Sequence, residues 1–145
     1  MQKTPVEFSA EASSSSEVDK SWIIQSSQFE TKCDIPVEFG GQSNGFSPED
    51  LFLQAAINCF IGTFKVMTNL SRAKFEKVLV KGKLIVDKNN DGKTVMKAVH
   101  LEIQVVAAEN SQRIKSLVQK AIKEGFILNS LTSELSYSLN VNDEH

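Results

Sequence analysis

The sequence predicts an α+β domain in which antiparallel strands surround two long helices. Apolar residues alternate with polar ones near both ends of the chain and in its middle, two longer runs repeat apolar residues at helical spacing, and polar turn-forming segments separate them. With 145 residues, 41% of them apolar, the chain is long enough to build a core as one domain, 1–145. Connections of roughly 3 to 10 residues leave no visible domain boundary.

The region from Val6 to Glu38 reads as short strands broken by polar turns. VEFSAE alternates, SWIIQSSQFE is strand-like around Trp22 to Ile24, the serines Ser13 to Ser16 form a loop, and Pro36 marks an edge or an end. The polar segment FGGQSNGFSPED then introduces the first long helix. Ser47 is its N-cap, Pro48 its first residue, Asp50 completes a capping box, and Phe46 and Leu51 are placed as a hydrophobic staple. Leu51, Phe52, Ala55, Ala56, Cys59, Phe60, Thr63 and Met67 recur at helical spacing and predict the buried face, widened by Ile57 and Phe64.

A hairpin follows. Val78, Val80, Leu84 and Val86 fall on one parity and Lys77, Lys81, Lys83 and Asp87 on the other. NNDG supplies the turn, and Val95, Val99, Leu101, Ile103 and Val105 return toward the same core. The second helix spans roughly Ser111 to Glu124, with Asn110 as cap, Ile114, Leu117, Val118, Ala121 and Ile122 as its apolar stripe, and Gly125 as a left-handed terminator. Ile127 to Leu131 predicts a short helical turn, Leu135, Tyr137, Leu139 and Val141 a final strand, and NDEH a frayed end.

The formal charge of -2, from 16 basic and 18 acidic residues spread along the chain, argues against a nucleic-acid surface. The first twenty residues are too polar for a signal peptide, and no later run reads as a membrane span. A cytoplasmic protein with reduced thiols and no membrane partner is therefore expected. Cys33 and Cys59 sit in no metal-ligand cluster, and His100 and His145 are far apart, so neither a metal nor another cofactor is expected. His100 lies on the parity opposite Val99 and Leu101 and should face solvent.

Cys59 is the residue with two readings. A cysteine among alanines and phenylalanines on an apolar helix face is usually a small hydrophobe of the core. A reactive thiolate three turns into the helix would need a neighbouring cation or donor, because the field of the unpaired amides fades beyond the first turn.

The stretch FGGQSNGFSPEDLFLQAAINCF resembles the signature segment of the OsmC/Ohr family of organic hydroperoxide resistance proteins, and the order of elements is similar across nearly the whole chain. The resemblance implies an intertwined homodimer with the long helices at its middle. It implies Cys59 as the peroxidatic, catalytic residue and Glu49 as the glutamate that organises it. On one straight helix those two are about 15 Å apart, so a shared site would need a break near Pro48 or a partner chain. Where the family carries its second cysteine, this chain has Gly125, and Ile122 replaces the histidine of the family's AH pair. The N-terminal arginine of the family has no counterpart either, since no arginine precedes Arg72, and Lys20 is the nearest basic candidate for its place.

Two routes of resolution then stay open, an external thiol reductant or Cys33. Phe46, Phe52, Phe60 and Phe126, with Phe64, are candidates to line a pocket. The function expected is thiol-dependent reduction of organic hydroperoxides through one cysteine. The alternatives are a non-catalytic dimer that binds an apolar small molecule, and a structural or regulatory homodimer.

Overall fold

The computed structural model describes residues 4–143. The chain forms two compact units, Met1–Leu51 and Phe52–His145.

The first unit is a three-stranded antiparallel sheet of β1 (Ala10–Ser13), β2 (Trp22–Ser26) and β3 (Phe29–Cys33), in that order. Its strands are short and mostly exposed, and Cys33 is their one buried residue. The alternation in VEFSAE becomes strand only from Ala10 onward, and Lys20 stands exposed in the following turn. Order beyond β3 comes from a polar anchor. Asp34 is fully buried and accepts hydrogen bonds from the backbone N–H groups of Ile35, at 2.8 Å, and Asn44, at 2.9 Å. Asp34 N–H donates to Phe46 and Phe46 N–H to Lys32, which lays Phe46 beside Cys33 as a parallel bridge. Two glycines make the loop close. A Cβ on Gly41 would lie 1.9 Å from the Ile35 carbonyl oxygen, and one on Gly45 would lie 2.7 Å from that of Lys32.

The loop delivers the chain to α1 (Pro48–Ser71). Ser47 N–H donates to Asp50 Oδ2 and Asp50 N–H to Ser47 Oγ, both at 2.9 Å, so the capping box stands as expected. Phe46 stays about half exposed.

In the second unit, β4 (Lys77–Lys88) and β5 (Thr94–Ala108) form the antiparallel hairpin, α2 spans Ser111–Glu124, and β6 is Glu134–Asp143. Asn89 Oδ1 accepts from the N–H groups of Asp91 and Lys93 to close the hairpin turn. Asn110 caps α2 by accepting from Arg113 N–H at 3.1 Å. A single 3-10 turn, Leu128–Ser130, precedes β6.

The core joins α1, the sheet and α2. Ala56, Phe60, Phe64 and Thr68 of α1, Val99, Leu101, Ile103 and Val105 of β5, and Ile114, Val118 and Ala121 of α2 are buried. Phe60 stacks on Phe64 with centroids 5.5 Å apart, and Phe64 meets Phe75 at 5.1 Å. On the flank, α1 presses so close to β4 that a Cβ on Gly82 would lie 2.8 Å from Ile57 Cδ1 and 2.9 Å from Leu53 Cδ1. The strand is glycine there because the helix leaves no room.

Four expectations need correction. The fully buried stripe of α1 runs through 56, 60, 64 and 68, so Phe64 is central, while Cys59, Thr63 and Met67 flank it half buried. The sheets are not purely antiparallel, for β6 pairs parallel to β5, Ala98 facing Glu134 and Val105 facing Val141. The cause is α2, a crossover that carries the chain back to the starting end of β5 before the next strand begins. Asn142 and Asp143, expected to fray, belong to β6, whereas Glu144 and His145 lie outside the described residues. Finally, α1 is long and apolar enough by length and composition to cross a membrane. Its stripe is spent instead on the core, and it starts with Glu49 and Asp50 and carries Lys65.

Replacing Asp34 with alanine removes the acceptor of two loop N–H groups. We expect a loss of about 1–3 kcal/mol for each donor left unpaired, read as a lowered denaturation midpoint, with α2 and the hairpin unaffected by hydrogen exchange.

Candidate functional site

Cys59 sits halfway along α1, one residue before the buried Phe60, and packs half buried against the core. A helix turns about 100° per residue, so the thiol lies on the flank of the core stripe. What it meets is the end of α2. A Cβ built on Gly125 would stand 3.0 Å from Cys59 Sγ, 3.1 Å from Leu128 Cδ1 and 3.3 Å from the Ala121 carbonyl oxygen. Gly125 ends α2 and donates its N–H to Ala121 at 3.0 Å. It does so with φ -63° and ψ 129°, not in the left-handed conformation expected of it. Any residue adopts that backbone. Close approach of the sulfur, rather than positive φ, is therefore what selects glycine.

Glu49 is on the first turn of the same helix, and α1 is unbroken from Pro48. Ten residues of rise separate it from Cys59 by about 15 Å along the axis, so that helix does not bring the two together. Glu49 instead keeps company with Cys33. Burial pushes the Cys33 thiol up, the negative charges of Asp34 and Glu49 push the same way, and the hydrogen bond with the Asp34 backbone opposes them only in part. Cys33 is 3% exposed. Glu49 Oε1 is buried and finds no hydrogen-bond partner among the described residues. Neither Asp34 nor this grouping was evident from the sequence. The only cue is the adjacency of Cys33 and Asp34 before a glycine-rich loop, and it does not reveal the fold-back of Phe46.

The phenylalanines scatter. Phe60 and Phe64 have no exposure, Phe52 packs against the core, and Phe126, beside Gly125, is 69% exposed. His100 lies on the polar face of the sheet with Nδ1 2.7 Å from Ser136 Oγ. The broad surface depressions at the β1–β2 edge and at the Lys74–Glu76 end of β4 are lined by residues other than Cys59. Among the described residues no three His, Cys, Asp or Glu side chains cluster as metal ligands would.

Two helices, a crossover and a mixed sheet with a cysteine at the seam between the helices define an OsmC-like fold. The sequence family described as OsmC-like protein matches residues 40–140, and the chain belongs to that family. It is 29% identical over 101 residues to YmaD of Bacillus subtilis, covering 70% of this chain and 67% of that protein. Its fold is similar to an OsmC-like protein of Vibrio cholerae, with TM-score 0.84 and 19% identity over 94% of this chain and 100% of that one. An OsmC-like protein of Mycoplasma pneumoniae matches with TM-score 0.77 and 22% identity over 97% and 99%. A Legionella pneumophila structure, described as an organic hydroperoxide resistance protein OsmC, matches with TM-score 0.74 and 19% identity over 97% and 99%.

Two outcomes follow from this geometry. Gly125→Ala should destabilise the chain by about 1–3 kcal/mol through overpacking, and Cys59→Ala should relieve it, with a coupling of about 0.5–3 kcal/mol in the double-mutant cycle. In the native protein at pH 8, iodoacetamide should label Cys59 and reach Cys33 only after unfolding. Because the folded-state pKa of Cys33 is raised, its contribution to stability is present below the unfolded thiol pKa and falls as pH rises through the folded value. Cys33→Ala should flatten that alkaline decline in a denaturation series.

Proposed function

We propose that the chain reduces organic hydroperoxides as a homodimer, with Cys59 as the nucleophile, Glu49 as a charge or hydrogen-bond organiser, and an external thiol as reductant. Membership of the OsmC-like family and the fold shared with a hydroperoxide resistance protein of Legionella pneumophila support a redox role. The observation that carries the assignment of Cys59 is its position. It is the less buried of the two thiols, held by a rigid helix at the margin of the core, where a sulfur is fixed in place yet still meets solvent.

The chemistry asks for little more. The Cys59 thiolate attacks the distal oxygen of the hydroperoxide, the O–O bond breaks, sulfur becomes sulfenic acid, and the departing alkoxide takes a proton from water to leave as the alcohol. Cys33 is a poor second thiol, since an attacking sulfur must be deprotonated and reachable and this one is buried and held toward its neutral form.

Uncovered apolar surface in each unit supports self-association. In the most apolar stretch of α1 only 22% of residues are buried, and Val66 and Leu70 on that helix are 60% and 78% exposed. In the first unit Phe8, just ahead of β1, and Phe29 of β3 are 91% and 72% exposed, and the sheet has almost no core of its own.

Exposure to an organic hydroperoxide in the presence of dimedone should place the label on Cys59, and Cys59→Ser should abolish both label and hydroperoxide consumption. Native Cys59 left unlabelled under excess peroxide would overturn the reading. Sedimentation equilibrium should give twice the chain mass, and a monomer would remove the dimer from it.

A further inference from the structure

We propose that the solvent-facing side of the second sheet binds a small phosphorylated polyol, with the phosphate held at Lys83 and His100 and the hydroxyls at Glu102, Gln104 and Ser138. The site lies on the face of the sheet opposite α1, so it stands or falls independently of the chemistry of Cys59.

Strand register brings these groups together. Val99, Leu101 and Ile103 of β5 are buried in the core with α1, so the residues between them face outward. Pairing across β4, β5 and β6 sets the outward residues in rows. Lys83, His100 and Ser136 form the first, Lys81, Glu102 and Ser138 the next, and Leu79, Gln104 and Asn140 the third. Neighbouring strands lie about 4.8 Å apart and successive rows about 7 Å apart, within the span of one small molecule. Two depressions, of about 360 and 330 Å³, follow these rows and share Lys81, Glu102 and Ser138, which makes them one trough. Volumes of this order hold small ligands.

Lysines on an edge strand commonly prevent pairing with other chains, and that role accounts for Lys81 and Lys83 by themselves. It does not account for His100, which stands on the central strand with Nδ1 2.7 Å from Ser136 Oγ. When the hydroxyl donates to Nδ1, the ring proton resides on Nε2, and that nitrogen can donate to a ligand. Such a donor opposite the Lys83 ammonium favours an anion, and a phosphate has oxygens enough to accept from both. One row on, the Glu102 carboxylate repels a second anionic group but accepts from hydroxyls. Lys81 lies opposite Glu102 and offsets its charge. Ser138, Gln104 and Asn140 supply the neutral donors and acceptors that a polyol matches. Apart from the His100 imidazole no ring lines the trough, which disfavours a nucleotide, whose base would stack on one.

The test is a titration of the isotope-labelled chain followed by amide NMR, with sorbitol 6-phosphate, inorganic phosphate and sorbitol as separate probes. Sorbitol 6-phosphate should move the amides of Lys81 to Lys83, His100 to Gln104 and Ser136 to Asn140. It should bind about tenfold more tightly than inorganic phosphate or sorbitol, since a single added hydrogen bond is worth up to that factor. Lys83 and Glu102 are exposed, so replacing either leaves the core intact. Lys83→Ala should weaken sorbitol 6-phosphate about tenfold, whereas Glu102→Ala should weaken it without weakening inorganic phosphate. Inorganic phosphate binding as tightly as sorbitol 6-phosphate would overturn the polyol assignment. Absence of amide shifts at millimolar sorbitol 6-phosphate, shifts centred elsewhere, or unchanged binding by Lys83→Ala would overturn the site. Cosedimentation with phosphatidylglycerol vesicles in place of sorbitol 6-phosphate binding would assign the basic end to a lipid surface and overturn the small-molecule reading.

Discussion

The second unit depends on one contact, the stripe of Ala56, Phe60, Phe64 and Thr68 laid into the core with the alternating Val99, Leu101, Ile103 and Val105 of β5. Full burial of a phenylalanine stabilises by roughly 1.5–3 kcal/mol, and two of them stack on adjacent turns. Thr68 can join the stripe because its hydroxyl donates to the Phe64 carbonyl at 2.9 Å, leaving no buried polar atom unpaired. This contact also fixes the rotation of α1. With Phe60 aimed at the core, Leu53 and Ile57 fall on the flank that meets Gly82 of β4, and Cys59 falls on the opposite flank, against Gly125.

The thiol is therefore placed by its neighbours rather than by any group that recognises it. Were Cys59 on the buried stripe it would be a small hydrophobe and nothing more. One residue earlier in the turn, it is half exposed and held rigidly. The two glycines do parallel work on either side of the helix, each permitting an approach that a methyl group would obstruct. Gly82 faces the tips of flexible side chains, Ile57 Cδ1 and Leu53 Cδ1, which can shift. Gly125 faces a sulfur, a Leu128 methyl and a helix carbonyl together, and has less freedom to adjust.

Much of this was legible because local signals agreed. Ser47, Pro48 and Asp50 announce the start of α1 independently of its apolar spacing, and α2 spans the residues its stripe and its Asn110 cap predict. What escaped was long-range. Periodicity makes the buried face of α1 too broad because the helix is apolar nearly all round, and spacing alone does not say which stripe the sheet takes. The parallel pairing of β6 follows from α2 acting as a crossover, a relation between elements and not a property of the strand. Gly125 marks the helix end in the sequence, but its conformation is set by what α2 packs against. Asp34 gave no pattern at all, since a buried carboxylate that organises a loop is recognised only when its two donors, ten residues apart in one case, are seen to converge.

Glu49 separates a capping role from a chemical one. A carboxylate placed at a helix start for its charge gains its benefit while staying in water. Glu49 has one oxygen buried without a donor, and burying an unsatisfied acceptor costs about 1–3 kcal/mol, more when it is charged. Helix electrostatics, worth typically 0.3–1 kcal/mol at such a position, does not offset that cost. Asp50, exposed and paired with Ser47, already serves the helix start. Helix electrostatics therefore does not account for the buried oxygen of Glu49, and burial, reinforced by the negative charges of Asp34 and Glu49, holds Cys33 toward its neutral thiol. What surrounds Cys33 thus disfavours its thiolate, while Cys59 is the less buried of the two thiols.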